Sequence, residues 1–170
     1  QLQGLKSQVN PHFLFNSLNS LSSLISDNEE EAEKFLDEMS KVYRYMLRND
    51  DDHLVTVETE LKFLQSYIYL LKARYGDGLR ISINVNVADR EKCIPPLTLQ
   101  VIIENAIHQQ TISKNSPLEI KIYSGKKHEL IVKNNIQLKI VTEVADQETG
   151  LDNLIHKYRL LNDSVVLIEE

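Results

Sequence analysis

The sequence predicts an α+β fold, a helical hairpin followed by a mixed helix-and-strand region, and three observations carry that expectation. Apolar residues recur at helical spacing from Ala32 to Met46, a charged break at Asn49-Asp50-Asp51-Asp52-His53 interrupts them, and beyond it alternating strand patterns are interleaved with further helical stripes. The break is the expected domain boundary, dividing residues 1–50 from 51–170.

At the start of the chain, Leu2, Leu5, Val9, Phe13 and Leu18 approximate a helical stripe that Pro11 interrupts. Proline lacks an N–H, and its ring crowds the carbonyl of Ser7. The helix therefore kinks here, or a new one starts with Asn10 as N-cap and Pro11 as its first residue. His12 falls beside this irregularity, with Asn16 one turn on along the same face and Asn19 within reach of it. Spacing alone makes His12 a capping or core histidine satisfied by Asn16.

Ala32, Phe35, Leu36, Met39, Val42, Tyr43 and Met46 predict a second helix from about Glu29 to Arg48, whose N-terminus is favoured by the acidic run from Asp27 to Glu31. Its Met and aromatic stripe reads as plain core. Two helices joined by a short polar turn form an antiparallel hairpin with too little core to stand alone. Its apolar face must pair with a second copy, making a four-helix bundle, or dock on the rest of the chain.

After the break, Leu54 to Val57 fits a short strand, and Thr56 is a natural N-cap for a third helix with the stripe Leu61, Leu64, Ile68 and Leu71, ending near Gly76. Gly76-Asp77-Gly78 signals a turn. Ile81, Ile83, Val85 and Val87 then alternate with polar residues, as in a strand with one buried face. Pro95-Pro96 introduces an apolar helix, Leu97 to Gln109, that carries Glu104 and Asn105 on a hydrophobic body. Burying such a pair costs several kcal/mol unless it is compensated, and a Mg²⁺ ion with triphosphate oxygens is one partner that would do so. Ile120, Ile122, a Ser124-Gly125-Lys126-Lys127 turn and Leu130-Ile131-Val132 read as a β-hairpin, and Gly150 opens a last helix through Leu161.

Composition narrows the function. With 170 residues, 42% of them hydrophobic, the chain can bury a sizeable core. A net charge of -6 without an obvious basic patch argues against a nucleic-acid surface. The single cysteine, Cys93, forms neither an intrachain disulfide nor a CxxC metal site, which fits a reducing compartment. No run reaches the roughly 18 apolar residues of a membrane span, and no segment resembles a signal peptide. Because it opens on Gln1 inside a helical pattern, the chain is expected to be a fragment with any anchor or sensor outside it.

Asn10-Pro11-His12-Phe13-Leu14-Phe15-Asn16, followed by Leu18-Asn19, resembles the phosphoacceptor box of the LytS/YehU-type sensor histidine kinases. That resemblance implies that His12 is the phosphoacceptor, a neutral imidazole whose free lone pair attacks the γ-phosphorus of ATP. Kinases of the more familiar type place a carboxylate directly after the histidine. Phe13 stands there in this chain, as in the family's own pattern.

The segment PPLTLQVIIENAIHQQ is similar to the family's N-box. By that match Asn105 coordinates Mg²⁺ and Glu104 orients or deprotonates the phosphoacceptor, while His108 and Gln109 stand where lysine and histidine are usual. Loss of the lysine removes a charge-assisted phosphate contact worth roughly 1.5–3 kcal/mol. Asn134 occupies the place of the aspartate that binds the adenine amino group, and Gly150, Leu151 and Asn153 match the second glycine box, whose first glycine is Glu148 here. An acidic side chain works against phosphate binding at a helix start.

The resemblance therefore implies a two-helix dimerisation and phosphoacceptor unit ahead of a two-layer α/β sandwich of the histidine kinase and gyrase ATP-binding type. It also implies ATP and Mg²⁺ as cofactors, a homodimer, a response-regulator receiver domain as partner, and the cytoplasmic region of a bacterial inner-membrane protein, with no nucleic acid bound. The competing reading is a degenerate kinase that binds ATP poorly and serves as a dimeric signalling scaffold. A helical adaptor with no chemistry would leave Glu104 and Asn105 unexplained.

Overall fold

The computed structural model describes residues 10–48, 53–136 and 150–160. The expectations for Leu2, Leu5 and Val9, for Asn49 to Asp52, for Glu148 and for the chain after Leu160 lie outside the described residues.

Helix α1, Pro11–Asp27, starts at the proline with Asn10 as N-cap, the second of the two alternatives at Pro11. Asn28 alone joins it to α2, Glu29–Arg48. This one residue serves both helices: its N–H donates to the Leu24 carbonyl at 2.8 Å, and its side-chain oxygen accepts from the Glu31 N–H at 3.2 Å. Strand β1, Val55–Thr56, leads directly into α3, Val57–Tyr75. Thr56 caps α3 by accepting from the Thr59 N–H at 3.2 Å, and Gly76, with φ +50°, ends it. A positive φ there suits a residue without a Cβ.

Of the two fates open to the apolar face of α2, the structure takes docking within the chain. Phe35, Met39, Val42 and Met46 are buried in one cluster with Leu61, Leu64, Leu71, Ile103, Ile120 and Ile122. Helix α3 is the central element, buried along Leu61, Leu64, Tyr67, Leu70 and Leu71.

Strand β2, Leu79–Asn84, is shorter than the alternation suggested. Val85 is still buried, but Val87 is 80% exposed and begins a four-residue helix α4, Val87–Arg90. Side-chain anchoring of Asp89 explains the change. Its carboxylate lies 3.0 Å from both Lys92 Nζ and His128 Nδ1, so the chain bends towards the turn that carries His128 instead of extending. Strand β3, Cys93–Ile94, pairs antiparallel with β1, and α5, Thr98–Gln109, follows. Strands β4, Leu118–Ser124, and β5, Leu130–Asn134, form the expected hairpin. Strand β2 pairs parallel with β4 on its other side, giving the order β2-β4-β5. Helix α6, Gly150–Leu160, buries Leu154 and packs against α5.

The entry to α5 depends on a residue far away in sequence. Leu97 adopts a left-handed conformation, φ +64°, and provides no side-chain cap. Fully buried Glu60, from the first turn of α3, replaces it: its carboxylate accepts from the Leu97 N–H at 2.8 Å, the Leu99 N–H at 3.2 Å and the Tyr45 hydroxyl at 2.7 Å. The β1–β3 pairing, together with the Val57 N–H donating to the Lys92 carbonyl at 2.8 Å, brings the two segments side by side. Burial pushes the Glu60 carboxyl up, against hydrogen bonds that pull it down.

Replacing Glu60 by alanine strands these donors, each costing about 1–3 kcal/mol. Glu60→Ala is expected to lower the unfolding free energy by roughly 2–4 kcal/mol in urea titration, and a change under about 0.5 kcal/mol would contradict this account. Asp89 gives the pH dependence. Hydrogen bonds from Ser124 and Lys92 lead in holding its carboxyl down from 3.8 to about 2. A depressed carboxyl stabilises the fold above its unfolded value and loses that contribution as pH falls through the folded one. Wild-type stability is expected to drop between about pH 4 and pH 2, with a shallower drop in Asp89→Asn, measured by thermal melts across that range.

Candidate functional site

A cavity of about 290 Å³ opens between α1, α3 and α5. Asn10, His12, Phe13 and Asn16 line it from α1 and its cap, Tyr67, Arg74 and Tyr75 from α3, and Glu104, Ile107 and His108 from α5. Helical spacing puts each set on one face of its helix.

Local sequence accounts for the placement of His12. Asn10 Oδ1 accepts from the His12 N–H at 3.0 Å and the Phe13 N–H at 3.4 Å, while Pro11, lacking an N–H, needs no partner at that position. His12 is thereby the second residue of the helix, exposed at the mouth of the cavity. Its Nδ1 lies 2.9 Å from Asn16 Nδ2, the pairing expected from the i, i+4 spacing. Ser17 and Ser20, rather than Asn19, continue the lining along α1. If the amide is oriented so that its oxygen accepts an Nδ1–H, the Nε2 lone pair is left for chemistry.

Phe13 anchors the docked helix. Its ring sits 5.1 Å from that of Tyr67 and 6.2 Å from that of Tyr43. Tyr67 lies 6.0 Å from Phe63, which stacks on Tyr45 at 4.3 Å. Tyr45 is the residue that donates to Glu60. An aromatic series thus runs from the start of α1 to the cap of α5.

Glu104 is half-buried in the middle of α5. Its Oε1 accepts from Asn10 Nδ2 and its Oε2 from Gln100 Nε2. The compensation that a partly buried carboxylate requires therefore comes from two side-chain amides. Gln100 also hydrogen-bonds Tyr67, whose hydroxyl is pushed up first by burial and then by the nearby charge of Glu104. Around the cavity the arrangement is one carboxylate, one imidazole at the mouth, a second imidazole at His108, and the guanidinium of Arg74, which also lies over the Tyr75 ring at 5.0 Å.

The sequence-predicted site residues fall into two groups. His12, Glu104 and His108 share the cavity. Asn105, Gln109, Asn134 and Gly150 do not line it. Asn105, half-buried and about 100° round the helix from Glu104, accepts from Gln109 Nε2 at 3.4 Å through its amide oxygen. That neutral oxygen is a donor type suited to Mg²⁺ that keeps most of its water. Asn134 ends β5 opposite Ile120 and donates to the Asn135 carbonyl at 2.8 Å. Gly150 and half-buried Leu151 begin α6. The side chain of Asn153 lies outside the described residues. Tyr67, Arg74, Tyr75 and Gln100 were missed, because on a single helix they read as ordinary members of a stripe or of its polar edge.

A family model described as histidine kinase matches residues 1–79. Among curated proteins, the sensor histidine kinase/phosphatase LytS of Staphylococcus aureus, in strains Mu50 and N315 among others, is 34% identical over 122 residues, which is 72% of this chain and 21% of the relative. The match thus spans about a fifth of the length of those relatives.

The packing around Phe13 yields a local expectation. Each aromatic pair is worth about 0.5–1.5 kcal/mol beyond area burial, so Phe13→Ala is expected to undock α1 while leaving the sheet intact. Amide exchange should accelerate across residues 11–27 and stay unchanged in β4 and β5. Equal acceleration in both would mean that α1 and the sheet open as one unit.

Proposed function

We propose, for a chain that belongs to the LytS-type sensor histidine kinase family, that it accepts a phosphoryl group on His12 from Mg·ATP and passes it to an aspartate of a response-regulator receiver domain. The observation that supports this reading is the shared cavity, which is lined both by the imidazole at the start of α1 and by the Glu104 carboxylate of α5.

In the proposed reaction a ring nitrogen of His12 forms a bond to the γ-phosphorus as the bond from that phosphorus to the β,γ-bridging oxygen breaks, and ADP leaves with the electron pair. Asn16 holds the ring, and Glu104 orients or accepts the remaining ring proton. Arg74 and His108, which line the same cavity, would meet charge on the transferring group. Asn105 would hold Mg²⁺, Gly150, Leu151 and Asn153 would receive the phosphates at the start of α6, and Asn134 would accept from the adenine amino group. Mg·ATP, when bound, supplies the phosphoryl group and the cation that offsets its charge. Transfer onward breaks the N–P bond, forms an acyl phosphate on the regulator and restores the His12 lone pair.

Residues 1–50 form the dimerising and phosphoacceptor unit in this reading, and 51–170 the ATP-binding unit. Because the inner face of α2 is covered by α3, a second copy would meet the outer faces of the hairpin. Phe15, Leu18 and Ile25 are exposed along the side of α1 away from Phe13, and Leu36 and Leu47 share one exposed face of α2. Segments outside the chain would supply the membrane attachment, leaving this region in the cytoplasm. Among the described residues no helix is long and apolar enough to cross a membrane.

Incubation with γ-labelled Mg·ATP is expected to label the chain, with no label in His12→Gln and a rate at least about a hundredfold lower in Glu104→Gln. Equal labelling of wild type and His12→Gln would exclude His12 as the acceptor. Absence of wild-type labelling at millimolar nucleotide would turn the reading to a scaffold without kinase activity.

A further inference from the structure

We infer that Asn10 is a positioning residue, one side-chain amide that caps the helix bearing His12 and, through its other end, holds the Glu104 carboxylate in register with it. The inference rests on the reading that Glu104 serves His12. The two amide-oxygen contacts, to the His12 N–H at 3.0 Å and the Phe13 N–H at 3.4 Å, turn the oxygen into α1. The amide nitrogen then points outward, and there it donates to Glu104 Oε1. Gln100, one turn before Glu104 on α5, donates to Oε2. The carboxylate is thus gripped from both sides, once from its own helix and once from the phosphoacceptor helix.

The residue type carries the argument further. An N-cap needs only an acceptor, and serine, threonine or aspartate would cap α1 about as well. Among the good capping side chains, asparagine presents an acceptor towards the helix and an amide donor two bonds away. Aspartate would cap equally but would set a second carboxylate against Glu104. Capping alone does not distinguish these residues, whereas the Glu104 contact does. Since a misplacement of about 1 Å can cost a hundredfold in rate, a clamp between the two helices has a catalytic consequence separate from its share of stability.

The test separates the two ends of the amide. Asn10→Ser keeps the cap and removes the amide that reaches Glu104, its shorter hydroxyl being engaged as the cap, Asn10→Asp keeps the cap and opposes Glu104, and Asn10→Ala removes both. Helicity close to wild type is expected in the serine and aspartate variants, because the cap is kept, with the melting temperature lowered only by the share of stability that the Glu104 contact supplies. His12 labelling from Mg·ATP should fall at least tenfold in Asn10→Ser and further in Asn10→Asp, with KM for ATP unchanged. Labelling of Asn10→Ser at the wild-type rate would overturn the inference. A readout independent of nucleotide is a double-mutant cycle in urea between Asn10→Ser and Glu104→Ala. Non-additivity of threefold or more in the folding equilibrium supports the clamp, and additivity sinks it. Coupling of residues 10 and 104 in a wild-type chain that fails to label would preserve the clamp and remove the phosphotransfer reading instead.

Discussion

The carboxylate of Glu60 is the constraint on which the rest of the structure depends. Helix α5 begins after two prolines and a left-handed leucine, so its first amide groups have no local partner. A buried acidic side chain on a different helix satisfies them and takes a further hydrogen bond from Tyr45 on α2. One group thereby fixes the mutual placement of α2, α3 and α5. Burying it is costly, which is why its carboxyl is pushed up. The cost is tolerated because the donors around it would otherwise be stranded.

From that point the architecture propagates to the site through packing. The rings of Tyr45, Phe63, Tyr67 and Phe13 succeed one another at 4.3, 6.0 and 5.1 Å, from the Glu60 cap to the helix that carries His12. At the far end Gln100 links Tyr67 back to Glu104 on α5. The imidazole and the carboxylate, 92 positions apart, therefore line one cavity because each stands on a helix whose position the same interior sets.

Much of this was legible where the signal is local. The stripe of α2, the Thr56 cap and Gly76 stop of α3, and the β4–β5 hairpin all follow from periodicity and turn chemistry within a few residues. Asn10 and Pro11 announced a helix start, and the motif drew attention to His12 and Glu104 separately. What could not be read were pairings across long separations. Glu60 looks like a first-turn acid facing water until Leu97, 37 residues on, is brought against it. Val87 continued a strand alternation that anchoring of Asp89 ends early. Likewise the Asn10–Glu104 contact joins residues 94 positions apart, and no local pattern encodes it.

The parallel pairing of β2 with β4 bears on how the chain reaches this state. Strands β4 and β5 are joined by a short turn and can close locally, whereas β2 meets β4 only after α4, β3 and α5 have been accommodated between them. Closing that longer loop carries the larger entropic penalty and comes before its contacts form. The hairpin is thus the natural early unit, and the β2 edge the last to be secured. Until then the edge of β4 that β2 will cover offers unpaired backbone groups, a row open to pairing with another chain.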